Sequence, residues 1–148
     1  MFYYIITMSQ SSKTIHDFQR INTGSAIRQI ILANSSITLG GNNSNDIIVL
    51  NSTSGSNVIL PTPSKGLSFP IVISNIGDHT ITAPSPVIYG SLSCAIPTTG
   101  SSLLSSSAST VIKTTSGSVI GDRIELMSDG TNYYVTGTVK QYNALTFV

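Results

Sequence analysis

Short apolar runs separated by small polar clusters recur along almost the whole chain. The runs are IRQIILA (27–33), ITL (37–39), DIIVL (46–50), NVIL (57–60), FPIVIS (69–74), HTITA (79–83), PVIY (86–89), STVIKT (109–114), DRIELMS (122–128), NYYVTGTV (132–139) and ALTFV (144–148). They are rich in β-branched and aromatic residues, and the segments between them, such as GGNNSN, NSTSGS, PTPSKG, NIGD and SDGTN, consist of turn formers. Strands this short, at intervals of about 8 to 15 residues, predict an all-β fold: an antiparallel β-sandwich or jelly-roll-like protomer. Only residues 14–33 carry apolar positions at helical spacing, and Asn22, Thr23 and Gly24 interrupt them, which leaves one short helix or turn before a strand.

Turn chemistry narrows the pairing. Asp129-Gly130 between two β-rich runs predicts a hairpin, because glycine supplies the positive φ that tight hairpin turns need. By the same reasoning Asn75–Asp78 joins two alternating strands as a second hairpin, with Ile71, Ile73 and Ile81 pointing inward. Residues 97–110 (PTTGSSLLSSSAST) read as a low-complexity surface loop anchored by Leu103 and Leu104. IILANSS and IIVLNST are similar to one another, but two copies do not establish a repeat architecture.

Composition sharpens this. Only 9% of the 148 residues are charged, and the net charge is +1, while Ser (25), Thr (17) and Asn (10) supply the polarity. Seven scattered Lys and Arg cannot form a phosphate-binding surface, so nucleic acid is not an expected partner. A mean hydropathy of +0.25 with 20 Ile argues against disorder. The division expected is an N-terminal arm over 1–26 and one β-rich domain over 27–148. The opening MFYYIITM lacks a basic flank and a cleavage site and is far shorter than the roughly 20 residues that cross a bilayer, so neither a signal nor membrane insertion is expected. Phe2–Thr7 has the composition of an added edge strand, and Met8 is an alternative start. Cys94 is the single cysteine, so no internal disulfide is expected; it reads as a small buried hydrophobe in a reducing or unconstrained compartment.

Candidate chemistry is sparse. His16 and His79 each neighbour an aspartate, but adjacent residues of an extended chain point to opposite faces, so neither forms a His–carboxylate relay. No G-x-S-x-G elbow or P-loop ending occurs. Two His, one Cys and isolated acids give no zinc spacing, and GGNNSND (40–46) has one carboxylate where calcium loops have several, so it reads as a turn. No cofactor, metal or catalytic residue is expected. Asn34, Asn42 and Asn51 match the glycosylation acceptor pattern, as a chain this rich in Asn, Ser and Thr does by composition.

One stretch carries a resemblance. Val58, Leu60, Pro61, Gly66, Ile71, Ile73, Asn75, Gly77, Ile88, Gly90 and then Ser128, Asp129, Gly130, Thr131, Asn132, Tyr133, Tyr134 and Val135 follow in an order that resembles the β-structured modules of phage fibres and of minor capsid or surface proteins of large DNA viruses. Tyr133 stands where Trp is common in those modules, and the first 50 or so residues lie outside the likeness. The resemblance implies a virion structural protein, assembled inside the host cell. It would be a minor capsid, cement or short fibre component that self-associates, as a trimer, and docks on a major capsid or other virion protein. Low charge suits such interfaces. Tyr133, Tyr134, Tyr142 and Phe147 are candidate interface anchors, the alternative being ordinary core residues of the last two strands. A second reading is a receptor- or glycan-binding tip, with Tyr89 and Tyr133 as stacking faces beside the 97–110 loop. A third, a fibre-borne hydrolase, would need carboxylates such as Asp122 and Glu125, the latter the only Glu.

Overall fold

A computed structural model describes residues 28–85, 87–96 and 103–148. The strands in chain order are β1 (Ile30–Ala33), β2 (Ile37–Thr38), β3 (Ile47–Leu50), β4 (Asn57–Ile59), β5 (Ser68–Ile73) and β6 (Thr80–Thr82), followed by β7 (Ile88–Ile96), β8 (Leu103–Ser109), β9 (Val111–Thr114), β10 (Arg123–Ser128), β11 (Tyr133–Gln141) and β12 (Leu145–Phe147). They form a large sheet in the order β1-β3-β5-β10-β11-β7-β8 and a small one in the order β12-β9-β6-β4-β2. The expected all-β sandwich is what the chain adopts. The expected arm over 1–26, and the helix or turn expected from residue 14 to 27, lie outside the described residues.

The sheets are mixed rather than antiparallel, because the first six strands alternate between them. β1, β3 and β5 stack parallel in the large sheet, and β2, β4 and β6 stack parallel in the small one. Each consecutive pair, β1–β2, β3–β4 and β5–β6, is thus one rung of a short coil. The similarity between IILANSS and IIVLNST is this stacking, since Ile30 pairs with Ile47 and Ala33 with Leu50. The second expected hairpin is corrected for the same reason: Asn75–Asp78 carries the chain from the large sheet to the small one. Gly77 belongs to that crossover because a Cβ there would lie 2.5 Å from the Ser52 carbonyl oxygen. The β10–β11 hairpin forms as expected, antiparallel with Ser128 paired to Tyr133 and Gly130 at φ +106°.

β8 occupies most of what the sequence suggests is a loop. Its Ser-rich composition has little strand preference, but antiparallel pairing with β7 supplies the backbone partners. The pairing shifts register between Ile88 and Gly90, where a bulge forms. Gly90 is required there: φ is +134°, and a Cβ would approach the Val135 carbonyl oxygen to 2.2 Å.

Alternation places Ile48, Leu50, Phe69, Ile71, Ile73, Ile88, Leu92, Leu126, Tyr133 and Val135 on the inner side of the large sheet, against Val58, Ile81, Ile112 and Leu145 of the small one. Ile71, Ile73 and Ile81 point inward as expected. Pro70, inside a central strand, is tolerated because the parallel ladder with β3 begins only at Ile71.

Candidate functional site

The candidate residues do not converge. Tyr133 is fully buried; its ring lies 6.3 Å from that of Phe69, and its hydroxyl donates to the Pro61 carbonyl oxygen at 2.9 Å. Burial pushes its phenol up to about 12, so it remains a proton donor to Pro61. As a glycan-stacking face or surface anchor Tyr133 is therefore corrected: the strand alternation that exposes Tyr134 turns its neighbour into the core. Phe147 packs half-buried against the core, whereas Tyr134 and Tyr142 are exposed.

Tyr89 on β7 is brought beside Tyr134 on β11 by the parallel register that pairs them, with ring centroids 6.5 Å apart. The Tyr134 hydroxyl donates to Asp129 Oδ2 at 3.0 Å. Asp129 Oδ1 accepts from the backbone N–H groups of Asn132 and Thr131, and these bonds, with the Tyr134 hydroxyl, hold its carboxyl below the ordinary value. The result is a small aromatic and carboxylate platform on the outer face, at the end of the sandwich where the β10–β11 hairpin turns. Residues 103–109, assigned above to a loop beside this site, are instead an edge strand; 97–102 lie outside the described residues.

Three of the exposed apolar side chains lie at the opposite end, the others being Ile30, Leu32, Met127, Tyr134 and Val148. The topology brings the 74–79 crossover, the 115–122 loop and the 141–144 turn to one pole, and these carry Ile76, Ile120 and Tyr142, with Ile120 65% exposed. The 115–122 loop is fixed by Asp122, whose two carboxylate oxygens accept from the Val119 and Lys140 N–H groups. Glu125 accepts from the Ser68 hydroxyl. The two carboxylates serve these bonds and do not face one another.

A buried polar chain that the sequence analysis did not find crosses all three rungs. His79 Nδ1 accepts from the Ser56 N–H at 3.0 Å and Nε2 donates to the Asn75 carbonyl oxygen at 2.9 Å, while the Ser56 hydroxyl donates to the Ala33 carbonyl oxygen. A parallel ladder runs along the coil corner, where the Ser74 hydroxyl donates to Asn51 Oδ1 and Asn51 Nδ2 donates to Asn34 Oδ1, each at 3.1 Å. Its sequence signal is the polar residue directly after each large-sheet strand of the coil, Asn34, Asn51 and Ser74. His79 is thus structural, as expected; His16 lies outside the described residues. Cys94 is buried, as expected of a small hydrophobe.

Between the sheets, Leu50, Ile73, His79, Ile112 and Leu145 help line a cavity of about 10 Å³, room for no more than a single water. Among the described residues, no three His, Cys, Asp or Glu side chains are grouped to hold a metal ion, and no helix is long and apolar enough to cross a membrane. Comparison with known proteins finds no matching family model, no matching curated protein and no matching solved structure.

Proposed function

We propose that this protein is a structural component of a virus particle, a minor capsid, cement or short fibre subunit that self-associates as a trimer and docks on a capsid lattice without catalysing a reaction. The observation that carries this reading is the apolar pole: Ile76, Ile120 and Tyr142 stand exposed at one end of a chain that is only 9% charged. Large aliphatic and aromatic side chains left in water gain by association, and the scarcity of charge lowers the desolvation cost of bringing copies together. The fibre-like order of residues agrees with this, although its positions have structural duties. Leu60, Ile71, Ile73, Ile88 and Val135 are core, and Gly77 and Gly90 admit close backbone contacts. The likeness therefore speaks to how such modules fold, and the pole to how this one assembles. Sedimentation of the wild type should give a trimer, and Ile76→Asp with Ile120→Asp should give a folded monomer. A wild type that stays monomeric at high micromolar concentration and is absent from purified virions overturns the reading.

The Tyr89–Tyr134 pair favours a second reading, a glycan-binding tip, because the exposed Tyr134 ring, with the half-buried Tyr89 ring beside it and a carboxylate at its hydroxyl, suits a sugar's apolar face and hydroxyls. Tyr134→Ala should then abolish signals on a glycan array; no signal from the wild type removes this reading.

A further inference from the structure

Alternation sends one set of large-sheet side chains into the core and the other onto an outer face, and the ladders align that outer set into rows. One row reads Leu32, Val49, Val72, Arg123 and Thr138 from β1 across to β11, each paired with the next. The row beside it reads Ile30, Ile47, Pro70, Glu125 and Thr136, where Ile47, one residue before the β3–β5 ladder, lies level with Pro70. β10, which carries Arg123 and Glu125, is the fourth of the seven strands. The small sheet presents a polar outer face instead. There Asn57 Oδ1 accepts from the Thr80 and Thr82 hydroxyls, and the exposed Lys113 pairs with Thr80 on one side and Thr146 on the other. On the large sheet, apolar residues fill the outer face from β1 to β5, with Ile30 and Leu32 exposed and Ile47, Val49 and Val72 half-buried.

The two rows complement each other. A two-fold axis lying between two stacked sheets, and running across the strands at the level of Ile124, exchanges them. Arg123 of each copy then faces Glu125 of the other, Val72 faces Pro70, Val49 faces Ile47, Leu32 faces Ile30, and Thr138 faces Thr136. Charge meets opposite charge, apolar meets apolar, and hydroxyl meets hydroxyl. An axis along the strands over β10 fails, because it sets Arg123 on Arg123 and the apolar flank on the threonines. We infer that the outer face of the large sheet is a self-association surface, on which a second copy of this chain stacks sheet to sheet with its strands reversed. Aligned sheets cross at about 30°, so the pairs nearest the central strand carry the contact and those on β1 lie at its rim.

The size of the surface sets its strength. Two rows across five strands cover on the order of 400 Å² per copy, where a standard stable interface covers about 800 Å². The contact is therefore weak in dilute solution and suited to subunits already held close together, as on a lattice. It uses neither the pole with Ile76 and Ile120 nor the Tyr89–Tyr134 platform, both of which lie outside the two rows.

Sedimentation from micromolar to near-millimolar concentration tests this, in the wild type and in Ile76→Asp with Ile120→Asp, so that the sheet contact is read apart from the pole. Both proteins should show a two-fold association step toward the top of the range. Arg123→Glu or Glu125→Arg alone sets like charges face to face and should weaken that step by roughly 10-fold or more. An equimolar mixture of the two variants, or the double variant, puts Glu opposite Arg again and should restore it. If Glu125→Arg, which loses the Ser68 hydroxyl bond, does not fold, cysteine cross-linking gives the same reading. In a Cys94→Ala background, oxidised Thr136→Cys and Thr138→Cys proteins should cross-link to each other and not each to itself. No association step in either protein, a step that Arg123→Glu leaves unchanged, a mixture no tighter than its components, or cross-linking of each cysteine variant with itself overturns the inference.

Discussion

The first half of the protein, β1 to β6, and the second, β7 to β12, contribute to one core but are held together differently. In the first half every in-sheet neighbour among β1–β6 is parallel and lies one rung away in sequence, so the coil depends on side-chain ladders at its corners and on the buried His79–Ser56 chain. In the second half, β10 and β11 form a hairpin closed by a Gly130 turn whose Asp129 carboxylate gathers two backbone N–H groups. The hairpin closes through local turn chemistry, whereas each strand of the coil meets its neighbour only after a full rung of chain, as β7 meets β11, and must meet the loop-closure cost of that rung. Polar side chains thus do different work in the two halves. In the coil they join rungs, and in the hairpin they shape a turn.

The strongest challenge to this division is Tyr133, which belongs to the hairpin yet binds the coil through Phe69 and Pro61. Tyr133→Ala should cost about 3–5 kcal/mol in chemical denaturation, and Tyr133→Phe, which keeps the ring and loses the Pro61 bond, about 1 kcal/mol. Two separate unfolding transitions in the wild type would show that Tyr133 does not couple the halves. Next comes His79→Phe, which fills the same space but strands the Ser56 N–H; a loss of about 1–3 kcal/mol is expected, with hydrogen exchange quickening in β3 to β6 before β10 and β11. Uniform quickening would mean that the polar chain is not specific to the coil. Asn51→Ala removes both rungs of the corner ladder and should cost about 1 kcal/mol by thermal melting, whereas Asn132→Ala, outside the coil, should cost less. The smallest effect belongs to the hairpin turn. Asp129 has its carboxyl held below the ordinary 3.8, so the stability it lends is present above that value and fades as pH falls through the lower folded value. Asp129→Asn should therefore flatten the drop in melting temperature between about pH 5 and pH 3, and an unchanged slope would show that the turn carboxylate contributes nothing.

Much of this architecture was legible from residues alone. Each of the eleven apolar runs named in the sequence overlaps a strand, because apolar and β-branched residues between Gly, Asn, Pro and Ser clusters have few other ways to bury their side chains. β8 was not legible, since LLSSSAS has no pattern of its own and becomes a strand through pairing with β7. The candidate aromatic residues were legible as a group but not individually. A one-residue step separates Tyr133 in the core from Tyr134 at the surface, and the register of the sheet decides which is which.

By itself, then, the sequence determined an all-β, charge-poor protein, the hairpin at Asp129-Gly130 and a set of inward isoleucines, since propensity, turn chemistry and alternation act over a few residues. Tertiary structure alone decided that the Asn75–Asp78 turn crosses between sheets, that Asn34, Asn51 and Ser74 stack into a ladder, that His79 locks three rungs, and that Tyr89 meets Tyr134. Each of these is a contact between segments far apart in the chain, and in a parallel stack the partner of a residue is set by how long each rung is, which no local pattern encodes.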